Sequence, residues 1–478
     1  MLEKIIGRKA EIAALKKAFE SKRSEFVALY GRRRVGKTFL VKEFFNNDFT
    51  FFTTGVSKGT KTDELLAFKT SLEKYTGTKM PRLTSWMAAF GHLTALVEAS
   101  NAARKVVFLD ELPWMDTPKS NFLQALDYFW NHDMSGRGDV VLVVCGSATS
   151  WMMDNLIDDE GGLHNRLTDW LQLDPFTLKE CRQYFDARHI SLTDRQIAEY
   201  YMIMGGVPFY LDFISGEMSL NSNIDTLFFH RTGKLREEFD HLYAALFKKS
   251  QDYIKVVKAI YSKSMGVSRD EIIARSKLKS GEALTDILKN LERCGFIRSY
   301  RNYSSTKNNK LYQLIDPYTI FYLKYIDSEL YTDETYWTDS ANSPERNSWA
   351  GYAFEILCLN HQRQMLKALG ISGVPYSISS WRTDPKKDKE DGLKGAQIDL
   401  VISRRDGYIH ICEMKFSRSE YEITKAYSQN LQNKVERFIL DTKCEDAIIL
   451  TFITSCGVKQ NAYSYLAQRS ITLEDLFE

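Results

Sequence analysis

The sequence lacks paired cysteines, long apolar runs and an excess of charge of either sign. Its seven cysteines form no CxxC pair and no spacing typical of metal ligands, which argues against a zinc ribbon and against a dithiol redox motif. No stretch approaches the ~20 consecutive apolar residues of a membrane span, and no apolar leader follows Met1. We therefore expect a cytoplasmic protein with no membrane partner.

The charged residues are balanced, with 64 Lys and Arg against 62 Asp and Glu. This balance neither requires nor excludes a nucleic-acid partner, so any such binding has to come from local patches. At 478 residues the chain is too long for one hydrophobic core, and about 150 residues per domain predicts roughly three domains.

Three strongly apolar segments predict a parallel β-sheet in the amino-terminal part. They cover residues 25–30, 106–109 and 139–145, and segments of helical periodicity separate them. Continuous runs rich in β-branched residues are typical of strands that are buried on both faces. The fold class predicted here is α/β.

The rest of the chain predicts a helical lid, a winged helix and a second α/β domain. The lid completes a first domain over residues 1–245, and Gly205-Gly206-Val207-Pro208 interrupts its helices. Residues 246–325 show three helices and then two strands around a polar tip, which is the order of a winged helix. Residues 326–347 are polar and predict a linker, and residues 348–478 form the last domain.

One segment matches the phosphate-binding pattern G-x-x-x-x-G-K-[ST] at every fixed position: Gly31-Arg32-Arg33-Arg34-Val35-Gly36-Lys37-Thr38. It follows a predicted strand and opens a predicted helix, which is the context that this motif needs. We expect Lys37 to reach the β- and γ-phosphates of ATP, and Thr38 to offer its hydroxyl to Mg²⁺. Residues 31–38 and the following Phe39 are the predicted nucleotide-binding segment.

Two carboxylates end the second apolar strand, at Asp110 and Glu111. Asp110 is positioned to hold Mg²⁺ and Glu111 to act as the general base for the attacking water; the alternative is a solvated acidic pair. Ser147, after the third strand, is a candidate sensor of the γ-phosphate or an ordinary turn residue. Arg166 is a candidate catalytic cation, acting in its own chain or across a homo-oligomer, or a surface arginine.

This order of motifs resembles the predicted archaeal and bacterial ATPases of the AAA-like class. The resemblance covers about residues 1–245, includes Ile6-Gly7-Arg8 at the start and is most specific at the P-loop and at Asp110-Glu111. It implies a metal-binding role for Asp110, a catalytic role for Glu111 and a sensor role for Ser147.

Acidic residues and one lysine form a second pattern near the carboxyl terminus. Glu413 and Lys415 are two apart and share one strand face, while Asp399 and Glu355 are candidates to join Glu413 around one Mg²⁺ ion. Lys415 would act as a catalytic cation on the scissile phosphate. The alternatives are a chance alternation of charges and a fold that binds without catalysis.

This pattern resembles the PD-(D/E)xK, restriction-endonuclease-like superfamily over about residues 345–478. The segment Gln397-Ile398-Asp399 lacks the proline of that motif. The resemblance implies a magnesium-dependent nuclease domain of α/β fold.

The winged helix carries charges of both signs on its third helix. Lys289 and Arg293 suit contact with DNA phosphates, whereas Glu282, Asp286 and Glu292 would repel them. The preferred interpretation is an ATPase whose nucleotide cycle acts on DNA through the winged helix and the nuclease-like domain. The alternative is a regulatory NTPase switch or remodelling ATPase with a partner-binding last domain.

Overall fold

The computed structural model describes residues 4–157, 163, 165–303, 310–328, 331, 333–383 and 393–478. The polar tip predicted at 304–309 lies outside these residues. The chain divides into two compact units, residues 1–175 and 176–478.

The first unit is a parallel sheet with helices on both faces. In chain order its elements are α1 (Lys9–Glu20), β1 (Glu25–Tyr30), α2 (Lys37–Phe44), β2 (Phe51–Thr54), α3 (Lys61–Thr76), α4 (Trp86–Ala99), β3 (Lys105–Asp110), α5 (Leu112–Met115), α6 (Phe122–Tyr128), a π-helical turn (Phe129–Met134), β4 (Val140–Gly146), α7 (Thr149–Met152), a second π-helical turn (Met153–Ile157) and β5 (Asp169–Gln172). The strand order is β2-β3-β4-β1-β5, with every pair parallel. This confirms the predicted α/β class.

The period of two along β1 explains the two cores. Phe26, Ala28 and Tyr30 pack into a large cluster on one face, and Val27 and Leu29 pack into a second cluster on the other. All six residues of β1 are buried, as are all six of β3 and all seven of β4. Strands buried on both faces read as continuous apolar runs, which is why these three were predictable from the sequence.

The strand order collects the chemical motifs at one edge of the sheet. β4 lies between β1 and β3, so the carboxyl ends of all three are neighbours. The Gly-rich loop follows β1, Asp110 ends β3 and Ser147 follows β4. Ligands of open α/β sheets bind at this edge.

The second unit begins with helices and a small antiparallel sheet. Its first elements are α8 (Leu178–Ala187), α9 (Asp194–Met204), α10 (Pro208–Leu211), α11 (Leu220–Ile224), a π-helical turn (Asp225–Phe229), α12 (Glu238–Leu246), α13 (Ser250–Tyr261), β6 (Val267–Ser268), α14 (Arg269–Ser276), α15 (Glu282–Arg293), β7 (Ile297–Arg301) and β8 (Lys310–Leu314). The three strands pair in the order β6-β8-β7, and every pair is antiparallel.

A mixed five-stranded sheet and its helices complete the second unit. The elements are α16 (Pro317–Tyr325), α17 (Tyr336–Asp339), α18 (Pro344–Asn360), α19 (Gln362–Ala368), β9 (Tyr376–Arg382), β10 (Gln397–Arg404), β11 (Tyr408–Lys415), α20 (Lys425–Thr442), β12 (Ala447–Thr454), a 3₁₀ turn (Ser464–Leu466), β13 (Arg469–Thr472) and a second 3₁₀ turn (Glu474–Phe477). The strand order is β13-β12-β11-β10-β9, antiparallel from β9 to β11 and parallel from β11 to β13.

Close backbone contact explains the Gly-Gly interruption after α9. A Cβ atom on Gly206 would lie 1.8 Å from the carbonyl oxygen of Phe176, and the Phe176 N–H donates to the Gly206 carbonyl at 2.6 Å. Only glycine permits this approach. The predicted break in the helical pattern is therefore a packing requirement.

The polar segment 326–347, predicted as a linker, contains ordered structure. Trp337 of α17 is 1% exposed, and Asp225 accepts hydrogen bonds from the Trp337 and Thr338 N–H groups at 2.8 and 3.1 Å. The next helix begins at Pro344, within the predicted linker, because Ser343 caps it by accepting from the Arg346 N–H at 3.2 Å. The polar composition of this segment gave no sign that Trp337 is buried or that Ser343 caps a helix.

Candidate functional site

The loop after β1 has the backbone of a phosphate cradle. Gly31 has φ 141°, and a Cβ atom there would lie 2.2 Å from the Leu173 carbonyl oxygen. Gly36 has φ 93° and caps α2. Both positions therefore require glycine, and the loop leads into the positive end of α2.

Lys37 lies over this loop. It is 5% exposed, and its Nζ donates to the carbonyl oxygens of Gly31 and Arg32, each at 2.9 Å. The ammonium is thereby held at the mouth of the cradle, where phosphate oxygens can replace the two carbonyls.

Thr38 and Asp110 meet across the sheet edge. The Thr38 hydroxyl donates to both carboxylate oxygens of Asp110, at 2.9 and 3.1 Å, and Asp110 is 5% exposed. A hydroxyl and a carboxylate at this spacing are oxygen ligands of the kind that Mg²⁺ takes beside a nucleotide. The residues present therefore fit the ion.

Asp110 has a further neighbour that the sequence did not reveal. The thiol of Cys145, fully buried in β4, donates to Asp110 Oδ1 at 2.5 Å. Burial and the charge of Asp110 raise the pKa of this thiol well above its usual range, so Cys145 stays protonated and remains a donor. Its position next to the Gly146-Ser147 strand end was the only signal for it in the sequence.

Glu111 is turned toward the end of β4. It has a left-handed backbone, φ 49°, at the start of α5, and its Oε2 accepts from the Ser147 hydroxyl at 2.9 Å and from the Ser147 N–H at 3.2 Å. The structure thus brings together Lys37, Thr38, Asp110, Glu111 and Ser147. Ser147 contacts the predicted base directly, and it is 1% exposed.

The other predicted residues of the loop differ in exposure. Val35 is buried, Arg33 and Arg34 are half-buried, and Phe39 is exposed. Arg8, which was not among the predicted nucleotide-binding residues, is 6% exposed and donates through Nη2 to the Val35 carbonyl at 3.1 Å. Arg8 therefore braces the loop from the amino-terminal segment.

Arg166 is exposed, and its backbone N–H donates to the Leu163 carbonyl at 3.1 Å. Its catalytic role stays a prediction.

A buried carboxylate near this edge went unnoticed in the sequence. Glu64 of α3 is 1% exposed and accepts from the Val56 N–H at 3.0 Å, which fixes the turn after β2. Burial raises the pKa of Glu64 to about 7. The folded unit therefore binds a proton more tightly at Glu64 than the unfolded chain does.

The raised pKa of Glu64 predicts a pH-dependent stability. Between pH 4.5 and 7 the folded state holds this proton and the unfolded state releases it, so the contribution of Glu64 to stability falls as pH rises. Glutamine does not ionise, so Glu64→Gln avoids the stability that the wild type loses as pH rises, which is up to about 3 kcal/mol.

We expect the Glu64→Gln variant to unfold at a higher temperature than the wild type at pH 7.5, with a smaller difference at pH 5. The exposed Glu20→Gln variant is the control; equal pH dependence in Glu64→Gln and wild type would contradict this.

The second unit brings together the four residues predicted for a nuclease site. Glu355 comes from α18, Asp399 from β10, and Glu413 and Lys415 from β11. Burial and the charge of Asp399 raise the pKa of Glu355 to about 8, and Lys415 opposes this shift. These side chains therefore belong to one electrostatic cluster.

Two residues of α20 complete this cluster around Glu413. Lys434 Nζ lies 2.5 Å from Glu413 Oε1, and the Tyr427 hydroxyl donates to Oε2 at 2.5 Å, while Lys415 Nζ is 3.4 Å from the same oxygen. Burial alone would raise the pKa of Glu413, but the charges of Lys434 and Lys415 hold it below its usual range. Across the part of the chain that the structure describes, no three His, Cys, Asp or Glu side chains are arranged to hold a metal ion.

Arg298, a basic residue of β7, interacts electrostatically with Asp399 of this cluster. Arg298 donates to Gln313 Oε1 at 2.7 Å, and its guanidinium lies 4.7 Å from the Tyr300 ring centroid. Burial lowers the pKa of Arg298 to about 10, while Tyr300, Tyr352 and the charge of Asp399 oppose the change. The Tyr303 N–H donates to the Ser380 carbonyl at 2.8 Å, so the residues that follow β7 meet β9.

Comparison with known proteins agrees with the geometry of the first unit. Residues 5–213 match the family described as an ATPase domain predominantly from Archaea. This part of the chain is similar to a P-loop ATPase domain. The match contains the whole Gly-rich loop, Asp110, Glu111 and Ser147, and it supports nucleotide binding.

Two curated proteins of Methanocaldococcus jannaschii are similar to the chain. An uncharacterized protein is 25% identical over 440 residues, which is 91% of this chain and 93% of the relative. An uncharacterized ATP-binding protein is 43% identical over 42 residues, 9% of this chain and 71% of that protein.

Solved structures of low sequence identity also resemble the chain. A Walker-type ATPase of Pyrococcus abyssi is 19% identical, with a TM-score of 0.48 over 67% of this chain and 97% of that one. The ORC2 protein of Aeropyrum pernix is 14% identical, with a TM-score of 0.42 over 70% and 95% of the two chains. Among the described residues, every helix is too short or too polar to span a bilayer.

Proposed function

We propose that the ATPase domain hydrolyses ATP with Mg²⁺ at the edge formed by Lys37, Thr38, Asp110 and Glu111, and that this cycle controls a DNA-directed second unit. The proposal of ATP hydrolysis rests on two contacts at one sheet edge, Thr38–Asp110 and Glu111–Ser147. A phosphate cradle, an ion site and a base thus adjoin one another.

Each side chain has a separate task in hydrolysis. Lys37 binds the β- and γ-phosphates, and Thr38 and Asp110 would hold Mg²⁺, which neutralises phosphate charge when bound. Glu111 accepts a proton from the attacking water. Ser147 holds Glu111 Oε2 through two hydrogen bonds and keeps the base in place.

The small antiparallel sheet and its helices support a winged-helix module for DNA. The elements run α13-β6-α14-α15-β7-β8, which is three helices and a two-stranded hairpin with the short β6 as an addition that the sequence did not predict. Leu284, Ile287, Leu288 and Leu291 bury one face of α15. Lys289 lies on the exposed face with Glu282, Asp286 and Glu292. Phosphate contact would therefore come from Lys289 and from the exposed Arg301 and Lys310 of the two wing strands.

The mixed sheet of the second unit supports a metal-dependent nuclease. Glu355, Asp399, Glu413 and Lys415 act on one another electrostatically, although they come from three different elements. Mg²⁺ binding by the three carboxylates requires Glu413 to exchange its bond with Lys434 for the ion. The raised pKa of Glu355 marks a carboxyl group that a divalent ion would deprotonate.

A specific observation favours a second candidate, in which this last region binds a partner without catalysis. Both oxygens of Glu413 are already engaged, by Lys434 and by Tyr427. A carboxylate that is satisfied in this way can serve purely to hold α20 against β11. The chain would then be a nucleotide-controlled switch.

Cleavage of DNA separates the two candidates. We expect the full chain to nick plasmid or degrade single-stranded DNA with Mg²⁺ or Mn²⁺, and Asp399→Ala to lower this rate about 100-fold or more, because it removes a metal ligand. Lys37→Ala should retain basal cleavage but lose any response to ATP. Asp406→Ala, on the exposed turn of the same hairpin, is the matched control. Absence of cleavage with either metal would contradict the nuclease proposal and support the second candidate.

A further inference from the structure

A cavity of about 370 Å³ lies within the second unit, and its lining includes none of the residues of the carboxylate cluster around Glu413. Its walls come from α9, from the start of α11, from the segment that leads into α18 and the first two turns of that helix, and from the residues that follow β11. Three arginines line it, Arg195, Arg346 and Arg418, whereas its lining contains a single carboxylate, Glu199. We call it the arginine cavity.

The positive charge of the arginine cavity is only partly balanced. Arg195 pairs with Glu199 at 3.0 Å and donates to the Ser417 carbonyl at 2.6 Å. Asp225, which is outside the lining but acts on Arg346, accepts from the Trp337 and Thr338 N–H groups and keeps its negative charge. The lining itself has three positive charges against one negative charge, and Asp225 reduces this excess to one.

Three contacts fix the guanidinium of Arg346 in place. Its guanidinium lies 3.9 Å from the Trp337 ring centroid, and it donates to the Trp337 carbonyl at 2.5 Å and to Asn221 Oδ1 at 2.7 Å. Burial lowers the pKa of Arg346 and the charge of Arg418 acts in the same direction, whereas the charges of Glu199 and Asp225 oppose the change. An anion between these two arginines would relieve both effects.

Arg418 is the more available of the two. It is exposed, and its hydrogen bond within the described residues is a long one, 3.3 Å from Nη2 to the Ala341 carbonyl. Its other N–H groups point to no acceptor among those residues. A guanidinium fork of this kind suits the paired oxygens of a phosphate.

We propose that the arginine cavity binds a small phosphate monoester, with Arg346 and Arg418 donating to the phosphate oxygens and Arg195 adding positive charge. Its volume is at the low end of the range for small-molecule sites, which favours a small ligand over a polymer. The apolar part of the lining, Met202, Ile203, Trp349 and Phe416, would contact the organic part of the ligand. This proposal stands independently of ATP hydrolysis and of DNA cleavage.

Titration calorimetry with AMP and with inorganic phosphate tests the proposal. The full chain carries Lys37→Ala, so that the P-loop does not contribute, and the salt is fixed at 0.15 M. We expect one AMP per chain and a roughly tenfold weaker affinity in Arg418→Ala, because one charge-assisted hydrogen bond is lost. Arg346→Lys keeps the charge but loses the fork, and it should weaken AMP binding as well. Arg405→Ala, an exposed arginine outside the cavity, should bind as before.

Competition with oligonucleotides identifies the source of the phosphate. A 5′-phosphorylated strand should displace AMP no better than the same strand with a 5′-hydroxyl. Preferential displacement by the phosphorylated strand would assign the cavity to nucleic-acid ends and overturn the small-molecule proposal. Absence of AMP binding, or equal binding by Arg418→Ala, would overturn it altogether.

Discussion

Glu111→Gln is expected to slow ATP hydrolysis by about 10²–10⁴-fold while ATP stays bound. Glutamine keeps the shape of the side chain, and its oxygen can still accept the hydrogen bonds that Ser147 donates at 2.9 and 3.2 Å. It cannot, however, take a proton from the attacking water. Phosphate release at saturating ATP gives the rate, and the nucleotide that remains with the protein after gel filtration should be ATP.

Glu98→Gln is the matched control for this experiment. Glu98 is in the same unit, at the end of α4, and its side chain is 60% exposed. The control should hydrolyse ATP at the wild-type rate. If Glu111→Gln did so too, the assignment of Glu111 as the base would be wrong.

Lys37→Ala is expected to weaken ATP binding by roughly 100-fold or more, because it removes the charged donor for the β- and γ-phosphates. The variant should still fold, since the Gly31 and Arg32 carbonyls that Lys37 contacts lie beside a cradle that water can fill. Equilibrium binding of a fluorescent ATP analogue gives the affinity, and a thermal melt checks the fold.

Lys16→Ala is the control for loss of a lysine. Lys16 lies on α1, and its side chain is 64% exposed. Binding should be unchanged in this variant. Wild-type affinity in Lys37→Ala would mean that ATP is bound elsewhere.

The ATP site was predictable because its determinants are local in sequence. The backbone angles at Gly31 and Gly36 need glycine, and the loop then follows from a fixed spacing to Lys37 and Thr38. The position of Asp110 and Glu111 was predictable because an apolar strand buried on both faces carries them to the sheet edge. The family match at residues 5–213 spans both residues, and their roles stay predictions.

The side-chain contacts that the sequence could not predict are set by the order of the strands. Ser147 meets Glu111, and Cys145 meets Asp110, because β4 lies next to β3, and no residue pattern specifies that neighbour. The role of Cys145 was therefore missed. Arg8 was missed because its contact with the Val35 carbonyl joins two segments 27 residues apart. Glu64 was missed for a similar reason, since its burial depends on where α3 packs.

In the second unit, long-range contacts limited the prediction in the same way. The hairpin of β10 and β11 was predictable from alternation, but Tyr427 and Lys434 reach Glu413 from α20, 14 and 21 residues further along the chain. The segment around Trp337 was read as a linker because its neighbours are polar, whereas one buried indole fixes it. The contacts of Glu413 and the burial of Trp337 could therefore be found only from the fold.

Phosphate release from ATP by the full chain tests the central claim most directly, namely that the edge formed by Lys37, Thr38, Asp110 and Glu111 hydrolyses ATP. The measurement compares the wild type with Lys37→Ala in the presence of Mg²⁺, and again after the metal is removed by chelation. We expect phosphate release only from the wild type in the presence of Mg²⁺, and a rate at the blank in the other three conditions. Equal release by the wild type and Lys37→Ala would contradict it.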